Sequence, residues 1–167
     1  MSGTQYEREL KRILERDPKA SKLYREMQYK PWMVTRGAGS LGSSDLTPLR
    51  NNRGFMIEVK SSQMDVIRLS GSRLKIQRAE SFEVVKTTGN TLLYAQRWVT
   101  KKKRTGTCIR CGQDVSDRWV LFRAFGFADD EFDFLPLPRF TKDRNPVLEF
   151  SEGLQLHEFL QMSTTLI

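Results

Sequence analysis

The sequence predicts an α/β protein in which a mixed central β-sheet is flanked by helices. Apolar residues recur at helical spacing, then in three extended runs, then at helical spacing again, and finally in two more extended runs. Strands interrupted by a helix in this way are typical of a layered α/β sheet. The chain has 167 residues, enough for one domain with its own core, and we predict a single domain over residues 1–167.

The first part of the chain carries an amphipathic helical pattern. Its apolar stripe is formed by Tyr6, Leu10, Ile13 and Leu14. We predict a helix over residues 4–16, capped by Thr4 and ending before Pro18. Residues 19–30 have a weaker helical pattern, so a second helix and an irregular segment both remain open there. Residues 32–35 form an extended run, followed by a loop rich in glycine and serine over residues 36–44.

A strand is predicted over residues 55–60, after a turn at residues 51–54. Side chains alternate between the two faces of a strand, so Glu58 and Lys60 point the same way. Met56 shares their face, whereas Phe55, Ile57 and Val59 share the other. A further extended run over residues 66–69 precedes a helix over residues 73–86, which Gly89 ends.

Two β-rich runs, residues 91–99 and 118–125, are predicted to form a hairpin with a long loop, an insertion at about residues 100–117. The loop contains a basic run that we expect to contact phosphate: Lys101, Lys102, Lys103 and Arg104. Trp98 and Trp119, at either end of the hairpin, are interpreted as packing residues. A C-terminal extension from about residue 128 ends in a predicted helix over residues 151–162.

The charge balance favours a polyanionic partner. The chain contains 28 lysines and arginines against 20 acidic residues, a net charge of +8. Nucleic acid is the preferred interpretation, because no basic amphipathic helix with an aromatic face indicates a membrane surface. No apolar run is long enough to span a bilayer and no signal peptide is recognisable, so we expect no membrane partner. The expected location is cytoplasmic, in a prokaryotic cell or in the cytoplasm of a virus-infected host.

Few residues are available for histidine or cysteine chemistry. The single histidine, His157, lies near the C-terminus, so the chemistry is expected to proceed without a histidine base. The only two cysteines, Cys108 and Cys111, exclude a disulfide framework. Their spacing is half of a structural zinc site, which a second subunit could complete. Two ordinary reduced cysteines in a turn are the favoured interpretation.

Two carboxylates and a lysine, Asp45, Glu58 and Lys60, are placed at or within predicted strands rather than in a solvent loop. Carboxylate oxygens are the ligands that Mg²⁺ or Mn²⁺ prefers, and such an ion can supply hydroxide at neutral pH and neutralise a phosphate. A neighbouring lysine can orient or deprotonate the attacking water. This pattern therefore indicates phosphodiester hydrolysis, although alone it is also compatible with a solvated strand face.

The surroundings of these residues resemble one known family. The segments YERELKRILE (6–15), TRGAGS (35–40) and IEVKSS (57–62), with Asp45 between the last two, resemble the archaeal-type Holliday-junction resolvases, a branch of the PD-(D/E)XK nuclease superfamily. The resemblance covers roughly residues 4–100. It implies a restriction-endonuclease-like nuclease core, a Mg²⁺-dependent endonuclease that cuts four-way DNA junctions, and a homodimer.

The resemblance also implies roles for individual residues. Glu7 on the first helix would join Asp45 and Glu58 as a metal ligand, with Glu9 as the alternative, and Lys60 would activate water. Arg36 and Ser40 would contact the phosphate next to the cleaved bond. On the downstream helix, Gln77 could support the site, among other polar residues: Arg73, Lys75 and Arg78.

Two departures from the family pattern leave the substrate open. The segment over residues 18–30 is longer than usual, and the loop over residues 101–117 is not part of the common pattern. Two alternative functions therefore remain: a superfamily nuclease that cuts flaps, branched DNA or duplex DNA, and a non-catalytic DNA-binding or zinc-knuckle adaptor.

Overall fold

The computed structural model describes residues 3–37, 45–99, 117–127 and 131–165. In chain order these residues form α1 (Gly3–Leu14), α2 (Lys22–Arg25), β1 (Met33–Arg36), β2 (Leu46–Arg50), β3 (Arg53–Gly54), β4 (Met56–Ser62), β5 (Val66–Arg68), α3 (Ser72–Thr88), β6 (Leu92–Trp98), β7 (Trp119–Arg123), β8 (Arg139–Phe140), β9 (Pro146–Glu149), a 3-10 turn (Phe150–Glu152), β10 (Leu154–Gln155) and α4 (Leu156–Thr165).

A mixed β-sheet forms the centre of the molecule. Its strands are ordered β1–β2–β4–β6–β7–β10, and the short strand β3 pairs with β2. Strands β4 and β6 are parallel, which requires a crossover, and α3 lies within it; the other pairs in the sheet are antiparallel. The predicted fold class, a mixed central sheet flanked by helices, is therefore confirmed.

Helix α1 packs on one face of this sheet, against β1, β2 and β4. The predicted apolar stripe is fully buried and belongs to one core cluster with Phe55 and Ile57 of the β4 region. The predicted cap is wrong, because α1 begins at Gly3 and Thr4 lies in its first turn. The helix ends at Leu14, ahead of Pro18 as predicted.

The other face of the sheet carries the second core cluster. Met56, Tyr94 and Phe122 pack there with Val85 of α3, so the predicted alternation along β4 is confirmed.

Asn51 and Asn52 both adopt positive φ angles, 53° and 62°, in the tight turn between β2 and β3. Gly89 ends α3 at a φ of 72°, a left-handed conformation that favours glycine.

Residues 19–30 form only the four-residue helix α2. Tyr24 and Tyr29 turn into the core, where the hydroxyl of Tyr29 donates to the carbonyl oxygen of Ile13. These long-range contacts stabilise an irregular conformation of the segment, and they outweigh its weak tendency to form a helix.

The C-terminal region departs from its prediction. The last helix begins at Leu156, not at residue 151, because Leu154 and Gln155 first pair with β7. Gly153 lies so close to Val120 that a Cβ there would be 2.6 Å from the valine side chain. A second sheet, ordered β5–β9–β8, lies off the main one and was not predicted.

In the part of the chain that the structure describes, no helix combines the length and apolarity needed to cross a membrane.

Trp98 and Trp119 are both buried, as predicted for packing residues.

Candidate active site

Strands β2 and β4 are paired in antiparallel register at Leu46 and Ile57. Asp45 lies directly before β2, and its backbone N–H donates to the carbonyl oxygen of Ile57 over 2.9 Å. Its carboxylate then accepts a 2.7 Å hydrogen bond from the backbone N–H of Val59. This register sets Asp45 beside Glu58, although the two residues are thirteen positions apart in the sequence.

Glu58 is buried, with 3% of its surface exposed, on the face of β4 that α3 covers. Its Oε2 lies 3.7 Å from Nζ of Lys60 and accepts a 3.3 Å hydrogen bond from Nε2 of Gln77. Lys60 in turn donates to Oε1 of Gln77 over 2.8 Å. Gln77, on α3, therefore bridges the carboxylate and the amine, and these three side chains form one connected network.

Glu7 and Arg36 lie on the other side of the two carboxylates. Arg36 ends β1 and donates to Oε2 of Glu7 over 3.0 Å. The charge of Glu7 acts on both Asp45 and Glu58. The structure thus brings together the predicted side chains that it describes: Glu7, Arg36, Asp45, Glu58 and Lys60.

Glu9, the alternative to Glu7, makes different contacts. Its two oxygens accept hydrogen bonds from Arg97, at 3.0 and 3.2 Å, and one of them also accepts from Nε1 of Trp119, at 2.9 Å. Residues two apart on an α-helix point about 200° away from each other, so Glu7 and Glu9 cannot serve the same site.

The surroundings of the site raise the pKa of both carboxyl groups. Burial, with the nearby charge of Asp45, raises the pKa of Glu58 to about 7. Burial also raises the pKa of Asp45, and the Val59 hydrogen bond opposes that shift. A cation would relieve the repulsion between the two carboxylates.

The donor set fits a hard divalent cation, because it consists of carboxylate oxygens and includes neither sulfur nor imidazole. Among the described residues, no three acidic, histidine or cysteine side chains are grouped closely enough to hold a metal ion as they stand. Asp45 and Glu58 lie near each other, and Glu7 is ion-paired with Arg36.

Several predicted functional residues lie outside the described residues. Ser40, the basic run Lys101, Lys102, Lys103 and Arg104, and the pair Cys108 and Cys111 belong to this set.

Two side-chain contacts, one beside the site and one away from it, were not predicted from the sequence. Arg78 donates to the hydroxyl of Tyr94 over 2.8 Å and to the carbonyl oxygen of Ala124 over 3.2 Å, so it supports packing beneath Glu58. His157 pairs with the buried Asp117 at 2.7 Å, which places the only histidine in a structural contact. The only sequence signal for the position of Tyr94 is the alternation of side chains along β6, which places Tyr94 on the same face of the sheet as Glu58.

The fold is a mixed α/β fold of a kind found in nucleases. One solved structure to which it is similar is that of Hjc from Archaeoglobus fulgidus, a Holliday junction resolvase from an archaeal hyperthermophile. The TM-score is 0.53, the sequence identity is 17%, and the match covers 95% of each chain. No family model matches the sequence, and no curated protein matches it significantly. At this identity the likeness concerns the fold.

Proposed function

We propose that this chain is a metal-dependent endonuclease that resolves four-way DNA junctions. One observation carries the proposal: Asp45, at the start of β2, lies beside Glu58 and Lys60 of β4, in a fold similar to that of a Holliday junction resolvase. The motif segments around these residues, which resemble the same class of enzyme, support it independently.

Asp45 and Glu58 would hold the metal, Mg²⁺ or Mn²⁺, and Glu7 would join them by exchanging Arg36 for the cation. When bound, such an ion neutralises charge on the phosphate and makes hydroxide accessible at neutral pH. The Val59 hydrogen bond orients the Asp45 carboxylate. Lys60, held by Gln77, is placed to take a proton from the attacking water or to stabilise charge growing on the phosphate.

Arg36 would contact the phosphate next to the cleaved bond once Glu7 has turned to the metal, with Ser40 beside it. The net charge of +8 supports a nucleic-acid partner, and the basic run at residues 101–104 would bind the backbone of the DNA. A symmetric homodimer would place two such sites on a substrate that has matching symmetry.

The test is cleavage of a synthetic four-way junction with and without Mg²⁺. Asp45→Asn and Glu58→Gln should abolish cleavage while junction binding persists. Glu158→Gln is the matched control, because it removes one exposed carboxylate on α4 and should cut normally. Full cleavage by both site variants in Mg²⁺ would refute the proposed site.

Substrate competition separates this function from the nearest alternative, a nuclease for flaps, branched intermediates or plain duplex. These substrates should be tested because the sequence departs from the family pattern at two places. The departures are the long segment over residues 18–30 and the loop over residues 101–117. Preferential cutting of the junction supports the resolvase proposal, and equal cutting of duplex contradicts it.

The adaptor alternative predicts salt-sensitive DNA binding without hydrolysis. Its zinc-knuckle form also predicts bound zinc at Cys108 and Cys111, which elemental analysis of the purified protein would detect. A metal-dependent cleavage product would reject it.

A further inference from the structure

A second cluster of basic side chains lies at the start of β7, outside the candidate active site. Arg118, directly before β7, lines a cleft of about 390 Å³ together with Lys22, Arg97 and Glu9. Three of the lining side chains are cationic and one, Glu9, is a carboxylate. Lys22 also lies 3.8 Å from the exposed carboxylate of Glu26, a solvated pair of little strength.

Glu9 is fully engaged by other partners. Nε and one terminal nitrogen of Arg97 bind its two oxygens, and the indole N–H of Trp119 binds one of them as well. Arg97 is buried, with 8% of its side chain exposed, so it needs this bidentate partner. The ion pair of Glu9 is with Arg97, and Glu9 attracts Arg118 without a hydrogen bond to it.

Arg118 has no side-chain hydrogen bond or ion pair with any residue in the described ranges. It is nevertheless only partly exposed. Burial and then the neighbouring charge of Arg97 lower the pKa of its guanidinium, and the charge of Glu9 offsets only part of that shift. A half-buried cation beside another cation is unfavourable for folding, and an anion from outside the chain would relieve it.

The strand register places this cleft at the same end of the sheet as the candidate active site. Ser61, directly after Lys60, is the partner of Arg97 across the parallel β4–β6 pair. Arg97 is paired with Trp119 across β6–β7. Arg118 is thus about two strand spacings from Lys60 across the sheet, and the cleft lies on the face that α1 covers, opposite the face that carries Lys60.

We propose that Arg118, assisted by Lys22, binds a backbone phosphate of DNA that extends past the end of the sheet where the candidate active site lies. This inference rests on the proposed function, because it takes DNA as the ligand. The phosphate supplies the acceptor oxygens that Arg118 lacks within the described chain, and guanidinium matches phosphate in geometry as well as charge. Contacts of this kind position the DNA without reading its sequence.

The experiment measures the affinity of a labelled four-way junction in EDTA across a series of KCl concentrations. Arg118→Gln should weaken binding several-fold at moderate salt and reduce the slope of log affinity against log salt by about one. Arg118→Lys should keep the slope, because it keeps the charge. Arg139→Gln is the matched control: it removes the same charge from β8, where Glu149 and Glu152 already bind the guanidinium, and should leave the slope unchanged.

Thermal unfolding of each variant accompanies the binding curves, and Arg118→Gln should unfold no earlier than the wild type. If that variant fails to fold, modification of wild-type arginines by phenylglyoxal, read by mass spectrometry, replaces it. Protection of Arg118 by DNA supports the site, and equal modification with and without DNA overturns it. An unchanged salt slope for folded Arg118→Gln, or an equal loss in Arg139→Gln, also overturns it.

Failure of the nuclease proposal would look different. If no DNA is cut in Mg²⁺ while the Arg118-dependent slope persists, the phosphate site stands and the catalytic assignment falls. If junctions are cut and the slope is independent of Arg118, the reverse holds.

Discussion

The carboxylate of Asp45 accepts a 2.7 Å hydrogen bond from the backbone N–H of Val59, the residue between Glu58 and Lys60. The side chain of the residue directly before β2 is thereby fixed to β4, between the carboxylate and the lysine of the site. The same bond holds the Asp45 carboxylate near Glu58. The site therefore depends on a contact between residues that are far apart in the chain.

Replacement of Asp45 should separate catalysis from stability. Asp45→Asn keeps an acceptor oxygen for Val59, so the free energy of unfolding should fall by less than about 1 kcal/mol while cleavage is lost. Asp45→Ala leaves a partly buried N–H without its partner and should cost about 1–3 kcal/mol. Urea unfolding and junction cleavage on the same preparations test this. Equal stability loss in both variants would contradict the role of the hydrogen bond.

The metal-free protein should lose stability as the pH rises. The pKa of Glu58 is raised from 4.5 to about 7, so the carboxyl is neutral in both states below 4.5 and costs nothing there. Between 4.5 and 7 only the unfolded chain ionises freely, and above 7 the buried charge costs the folded state about 3 kcal/mol. In EDTA, Glu58→Gln should therefore be more stable than wild type at pH 8 and similar to it at pH 4.5. A difference that does not change with pH would refute this.

Glu7 and Glu9 should behave differently when each is changed to alanine. Glu9→Ala leaves the buried Arg97 and the Trp119 indole without their acceptor, which should cost about 2–4 kcal/mol with cleavage per folded molecule retained. Glu7→Ala removes a partly exposed ion pair with Arg36, worth at most about 1 kcal/mol, and should lose cleavage. The test compares the two variants by thermal unfolding and by their cleavage rates at a temperature below both melting temperatures. The reverse pattern would make Glu9 the functional carboxylate.

Gln77 should act as a positioning residue. Gln77→Leu removes the bridge between Lys60 and Glu58, and we expect a loss of roughly 10- to 100-fold in the cleavage rate with junction binding unchanged. The pH profile of the rate should also shift, because Lys60 and Glu58 both lose a hydrogen-bond partner. Ile76→Ala, at an exposed neighbouring position on α3, is the control and should cut at the wild-type rate. Equal rates in both variants would refute the role of Gln77.

Local patterns predicted the elements that hold the site. The period-2 alternation along β4 correctly placed Glu58 and Lys60 on one face, and the stripe on α1 correctly identified its buried side. The short strands β8 and β9 escaped prediction, as did the pairing of β5 with β9, because two to four residues carry too little periodicity. Helix α4 starts late because of a contact with β7 that no local pattern encodes.

The sequence by itself determined the fold class, the direction of Glu58 and Lys60 along their strand, and the resemblance to the resolvases, since each depends on residues close together in the chain. Only the tertiary structure decided that Asp45 binds the Val59 N–H, that Glu7 rather than Glu9 lies beside it, and that Gln77 bridges Lys60 and Glu58. Each of these hydrogen bonds joins residues that are 14 or more positions apart in the chain. They depend on how α1 and α3 pack on opposite faces of the sheet, which the spacing of residues along one element does not specify.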